Sequence, residues 1–172
     1  MVNTSPLAGR RGLRLYLWIA VLALAAMIFF FSSQPGESSS GLSELPARWL
    51  MELLDADFQA RPIGEQQQLY QLCQLVVRKI GHLGEFALLA FHLCLLLECY
   101  ALRHSGLLCW LLSTLYAATD EFHQLFVDAR SARWQDVLID SSGAFCGAAA
   151  ALLLVLMLLR HNLRKRMEPC LS

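Results

Sequence analysis

Residues 106–127 read GLLCWLLSTLYAATDEFHQLFV, and the polar stretch Asp120-Glu121-Phe122-His123-Gln124 near its end decides how the whole chain is read. An apolar run of this length is enough for a membrane-spanning helix, which takes ~20 residues. Two carboxylates, an imidazole and a carboxamide then sit at or near hydrocarbon depth. Each charged group there costs roughly 2.5–3.5 kcal/mol on insertion scales. Groups so placed need partners, and the rest of the chain supplies the candidates.

Composition supports the membrane reading. Of 172 residues, 56% are hydrophobic and 16% charged, whereas soluble domains carry about 25% charged residues. Mean hydropathy is +0.46, and the apolar residues are bunched. Four runs approach spanning length: residues 13–31, 81–102, 106–127 and 137–159. The expectation is an all-α integral membrane bundle of four transmembrane helices. A tail (1–12) precedes the first span (13–31), an extracytoplasmic loop (32–77) follows, then a three-span core (78–159) and a basic tail (160–172). A formal net charge of zero argues against nucleic acid as a partner.

Cys94, Cys99, Cys109 and Cys146 fall in spans, Cys73 in the loop and Cys170 in the tail, with no CxxC pair. They read as small buried hydrophobes, not as a zinc site or a disulfide framework.

Arg10, Arg11 and Arg14 precede the first apolar run, which has no small-x-small cleavage site after it and reads as an uncleaved span. An even number of spans returns Arg160, Arg164, Lys165 and Arg166 to the same side as these arginines and Arg103. By the positive-inside tendency that side, with both termini, is cytoplasmic. Arg78, Lys79, Arg130 and Arg133 fall on the outer side, against the trend. In the outer loop, Ser38-Ser39-Ser40-Gly41 is a helix-cap signal. Leu42, Leu45, Trp49, Leu50, Leu53 and Leu54 then recur at helical spacing, which predicts an amphipathic helix lying in the interface. Arg61-Pro62-Ile63-Gly64 breaks it. A second helix is predicted from about Glu65 into the second span. The short turn at Arg103-His104-Ser105 makes spans two and three an antiparallel hairpin.

Arg78, His82 and Glu85 are spaced i, i+4, i+7 and share one helix face. Asp120 shares a face with His123 and Gln124, while Glu121 is displaced about 100° and is expected to meet another neighbour. Asp136, Asp140, Gly143 and Gly147 form a third stripe. On antiparallel neighbours the His82/Glu85 and Asp120/His123 pairs match in depth, so the polar groups are expected to converge in the outer leaflet. Gly143-Ala144-Phe145-Cys146-Gly147 is a GxxxG, which permits close helix approach. It lies on the stripe that carries the two aspartates. His92 and Glu98 are expected to be satisfied locally, and Arg133 with Trp134 to act as an interfacial anchor.

In order along the chain these residues are Phe31-Ser32-Ser33-Gln34-Pro35-Gly36, Arg78-Lys79-x-x-His82-x-x-Glu85-Phe86, Asp120-Glu121-x-His123-Gln124-x-Phe126, Arg130, Asp136 and Gly143-x-x-x-Gly147. This series resembles the VanZ-like family of small bacterial multi-pass membrane proteins, over about residues 31–159. One departure is Asp128-Ala129, where a Pro-Gly turn would be expected before Arg130. The resemblance implies a cell-envelope role, the family's namesake being associated with glycopeptide (teicoplanin) resistance.

The leading expectation is an outer-leaflet site for an anionic lipid-linked or cell-envelope ligand. Arg78, Lys79 and Arg130 would hold phosphate or carboxylate. His82 or His123 would be general acid/base, oriented by Glu85, Asp120 or Glu121. Gln124, Asp136 and Asp140 complete the ligand-binding candidates. Neither a cofactor nor a resident metal is expected, and the oligomeric state is open. Competing readings are a proton relay or capture of an amphiphile, and a polar cluster that merely glues helices together. A further reading is a dimetal site built from His82/Glu85 and Asp120/His123, although Glu-x-x-His order is absent.

Overall fold

The computed structural model describes residues 5–55, 57–128, 130 and 133–167; the side chains of 36–40, 42, 166 and 167 are not described. The serine cap at 38–40, the Leu42 position of the amphipathic stripe, Ala129 of the outer turn, the Arg166 side chain and Cys170 therefore lie outside the described residues. The chain is all-α: α1 (Arg11–Ser32), α2 (Gly36–Leu54), a 3-10 turn (Phe58–Ala60), α3 (Ile63–Cys99), α4 (Ser105–Gln124) and α5 (Trp134–Met167).

α3 is the axis, with the other four helices packed around it. Its 37 residues extend about 55 Å at 1.5 Å per residue, nearly twice the ~30 Å hydrocarbon core. The predicted loop helix and second span are thus one unbroken element. Nothing in residues 63–99 interrupts it, since Pro62 sits just before the first turn, where its missing N–H costs nothing.

α1, α3 and α5 are each long and apolar enough to cross a membrane. α4 is not in that set. Asp120, Glu121, His123 and Gln124 fill its last turn and lower its hydropathy, although its first four turns are apolar.

The α3–α4 turn closes the predicted hairpin with a left-handed cap. The Leu102 N–H donates to the Leu97 carbonyl at 3.3 Å and the Ala101 N–H to the Glu98 carbonyl at 3.0 Å. This is the paired 6→1 and 5→2 bonding of a Schellman motif, with Ala101 at φ 53° in the place glycine usually takes. Inside the turn, Glu98 accepts a hydrogen bond from the Ser105 hydroxyl. His92 Nδ1 lies 2.8 Å from the Leu88 carbonyl. Both are satisfied locally, as their surroundings demand.

α3 and α5 approach so closely that a Cβ at Gly143 would overlap the Leu83 carbonyl, and one at Gly147 the Ala87 carbonyl. The GxxxG is therefore where two backbones meet. Small residues continue the seam, with Ala144, Ala148 and Ala151 buried. Cys73, Cys94, Cys99 and Cys109 are buried free thiols and Cys146 is exposed.

α2 begins at Gly36, immediately after Pro35 and ahead of the serine signal. Its Ala47 and Met51 pack on Cys73, with Phe58, Leu69, Tyr70 and Val77 around them. It clasps the N-terminal part of α3. Its outer stripe Leu45, Trp49 and Leu53 is bare, each 79% exposed.

Candidate functional site

Where α1, α4 and the following loop meet, the end of α1 supplies acceptors that need capping. Arg130, in the loop after α4, donates from Nη2 to the Phe31 carbonyl at 3.0 Å and from Nε to the Gln34 carbonyl at 3.2 Å. A cation here also complements the negative end of the helix dipole. Its Nη1 reaches Gln124 Oε1 at 3.5 Å. Burial and the nearby Arg78 charge pull the Arg130 pKa below its ordinary value, but a guanidinium stays charged across the usable range.

The acid at the heart of the quoted stretch is buried. Asp120 Oδ2 accepts from Ser32 Oγ at 2.7 Å and from Gln124 Nε2 at 3.0 Å. Among the described residues its Oδ1 has no hydrogen-bond partner, and neither have His82 Nδ1 and Glu85 Oε2. The His82 and Glu85 atoms are 3.8 Å apart, beyond hydrogen-bond length. Glu121, displaced around α4 as its register predicts, accepts from the Arg133 backbone N–H at 2.5 Å. Lys79 is ion-paired to Asp136 across α3 and α5.

These groups surround a cavity of about 180 Å³ between α3, the end of α4, the loop and the start of α5. Arg78, Lys79, His82, Glu121, Gln124, Arg130, Arg133, Asp136 and Asp140 line it, with Leu75 and Ile139 as its apolar part. Three helices thus deliver the predicted side chains to one place. The i, i+3, i+4, i+7 stripe of α3 runs from Leu75 through Arg78 and Lys79 to His82. α5 presents Asp136 and Asp140 because its glycines, on the same stripe, are drawn against α3.

Glu85, Asp120 and His123 are not in the lining. Asp120 sits within electrostatic range of His82 and Asp140, and Glu85 within that of Asp140. His123 departs from the expected pairing with α3. It stacks on Phe29 (centroids 4.7 Å, 29° between planes) and lies 3.2 Å from Ser33 Oγ. The Phe29 face on α1 and the Ser33 hydroxyl that caps it give the ring a stacking surface and a polar partner. With His123 turned away, the two carboxylate–histidine pairs do not converge. Among the described residues, no group of three or more His, Cys, Asp or Glu could hold a metal ion.

Ser32 and Ser33 were not among the candidates, yet they hold Asp120 and His123. The signal was present: two hydroxyls closing an otherwise apolar helix. Other polar contacts join the bundle away from the cavity. Trp110 Nε1 donates to Ser141 (3.2 Å to O, 3.1 Å to Oγ), and Tyr116 Oη donates to the Ala25 carbonyl at 2.7 Å.

Chemically, the arrangement offers cationic donors for an anion and an imidazole with unused hydrogen-bonding capacity beside a carboxylate. A family model described as VanZ/LLP1 matches residues 17–157. No curated protein and no solved structure matches the chain.

Proposed function

The chain belongs to the VanZ/LLP1 family, and from that premise we propose a four-span cell-membrane protein whose outward cavity engages an anionic, lipid-linked or cell-envelope ligand. α4 is counted as a span because its 20 residues reach about 30 Å. Its Leu107, Leu111, Leu115 and Phe122 are exposed as lipid-facing residues would be. The predominance of arginine at the opposite end of the bundle supports a cytoplasmic location for that end and both termini.

The carrying observation is the cavity itself: Arg78, Lys79 and Arg130 beside His82, with Leu75 and Ile139 at hand for a hydrocarbon chain. Arg130 spends three N–H groups on Phe31, Gln34 and Gln124, and its other two have no partner among the described residues. His82 would move a proton at the ligand's headgroup, with Glu85 and Asp120 setting its charge. A glycopeptide-resistance-type role follows if that ligand is a cell-wall precursor or the antibiotic.

The second reading is a polar cluster that only holds helices together. The Lys79–Asp136 pair and the Arg130 strut favour it. Lipid mass spectrometry of cells with and without the protein separates the two. The proposal expects one envelope lipid to change, and His82→Ala to abolish that change at unaltered protein level. An unchanged lipidome, or variants that merely fail to accumulate, would give the ground to the structural reading.

A further inference from the structure

At the end of the bundle away from the cavity, Leu7 and Leu17 of the N-terminal region pack with Leu96 and Cys99 of α3 and Val155 of α5. This cluster brings the start of α1 and the C-terminal part of α5 to the same end. Arg10, Arg11, Arg160, Arg164 and Lys165 are all exposed there. Among the described residues the one acid at this end is Glu98, and it is occupied by Ser105. Among the described residues, basic side chains therefore outnumber acidic ones at this end.

One part of the patch is built rather than merely charged. The Arg14 guanidinium lies 5.3 Å from the centroid of the Tyr100 ring, within cation–π range. Tyr100 Oη in turn accepts from Trp18 Nε1 at 3.1 Å. Trp18 and Tyr100 are 45% and 46% exposed, the behaviour of rings at headgroup level. This contact holds the Arg14 guanidinium over the Tyr100 ring, and its N–H donors engage no partner among the described residues. A guanidinium held over an aromatic ring suits a phosphodiester.

We propose that this end binds anionic phospholipid headgroups, with Arg14 on Tyr100 as the phosphate contact and the surrounding arginines supplying the attraction. The inference rests on the spanning orientation proposed above and is independent of the cavity's ligand. Each Lys or Arg near an anionic surface contributes about 1 kcal/mol, or roughly fivefold in affinity.

The test is native mass spectrometry of the full chain in detergent, titrated with phosphatidylglycerol or phosphatidylcholine. Wild type retains phosphatidylglycerol preferentially, and added salt weakens the preference. Arg14→Gln lowers phosphatidylglycerol affinity about fivefold, and joint replacement of Arg10, Arg11 and Arg14 by Gln about a hundredfold. Arg48→Gln, at the other end, has no effect. If Arg14→Gln fails to fold, the exposed pair Arg164→Gln/Lys165→Gln gives the same comparison, with about a 25-fold loss expected. Equal affinity for the two lipids, or a preference that survives these changes, overturns the proposal. So does a preference lost in His82→Ala but kept in Arg14→Gln, which would place the lipid in the cavity and support that reading instead.

Discussion

Gly147→Ala adds a single methyl group that should loosen the α3–α5 seam. The added Cβ meets the backbone carbonyl of Ala87, which cannot rotate out of the way as a side-chain tip would. The helices must separate, and a gap of roughly 0.5–1 Å forfeits a quarter to a half of each dispersion contact across it. Overpacking of this kind costs typically 1–3 kcal/mol. Helix propensity acts in the opposite sense, favouring alanine by about 1 kcal/mol. A net loss of up to about 2 kcal/mol corresponds to a drop of up to roughly 8 °C in Tm for a chain this size. The control is Gly84→Ala in α3, where nothing lies within 4 Å of the added Cβ and only the propensity gain remains. Thermal unfolding in detergent, followed by tryptophan fluorescence, should place the two variants on opposite sides of wild type. A Gly147→Ala protein that melts at or above Gly84→Ala refutes the close-approach argument, and with it the reason Asp136 and Asp140 face the cavity.

Ser32→Ala removes the Oγ donor 2.7 Å from Asp120 and should destabilise by about 1–3 kcal/mol, the cost of taking a hydrogen-bond partner from a buried acceptor, read as a lower melting temperature. Arg130→Lys keeps the charge but cannot reach Phe31 and Gln34 together. Faster proteolytic cutting near residues 33–36 is expected, and unchanged cutting would mean the strut does not hold α1. A double-mutant cycle of Lys79→Gln and Asp136→Asn should return a coupling of about 1 kcal/mol, because the pair is part-buried, with 33% and 29% of the side chains exposed. Strict additivity would mean the two charges do not feel each other.

Much of this architecture could be read from spacing alone. The apolar runs identify the helices, the short turn at residues 103–105 makes the hairpin, and a 3.6-residue period puts Arg78 with His82 and Asp136 with Asp140 on their faces. It also turns Glu121 away from Asp120. The α2 boundary was less legible. Pro35 and Gly36 start that helix ahead of the serines, and its inner face, Ala47 and Met51, is chosen by contact with Cys73, a partner distant in the chain.

The sequence by itself determined which residues share a face, because a helix repeat is local and covalent. It did not determine which neighbour each face meets. His123 has the spacing to face α3 yet turns to Phe29 and Ser33, and Arg130 spends its donors on the open carbonyls ending α1. Those choices depend on competing partners brought together only when five helices pack. The tertiary structure made them by satisfying buried hydrogen-bonding groups that would otherwise cost more than any local preference could recover.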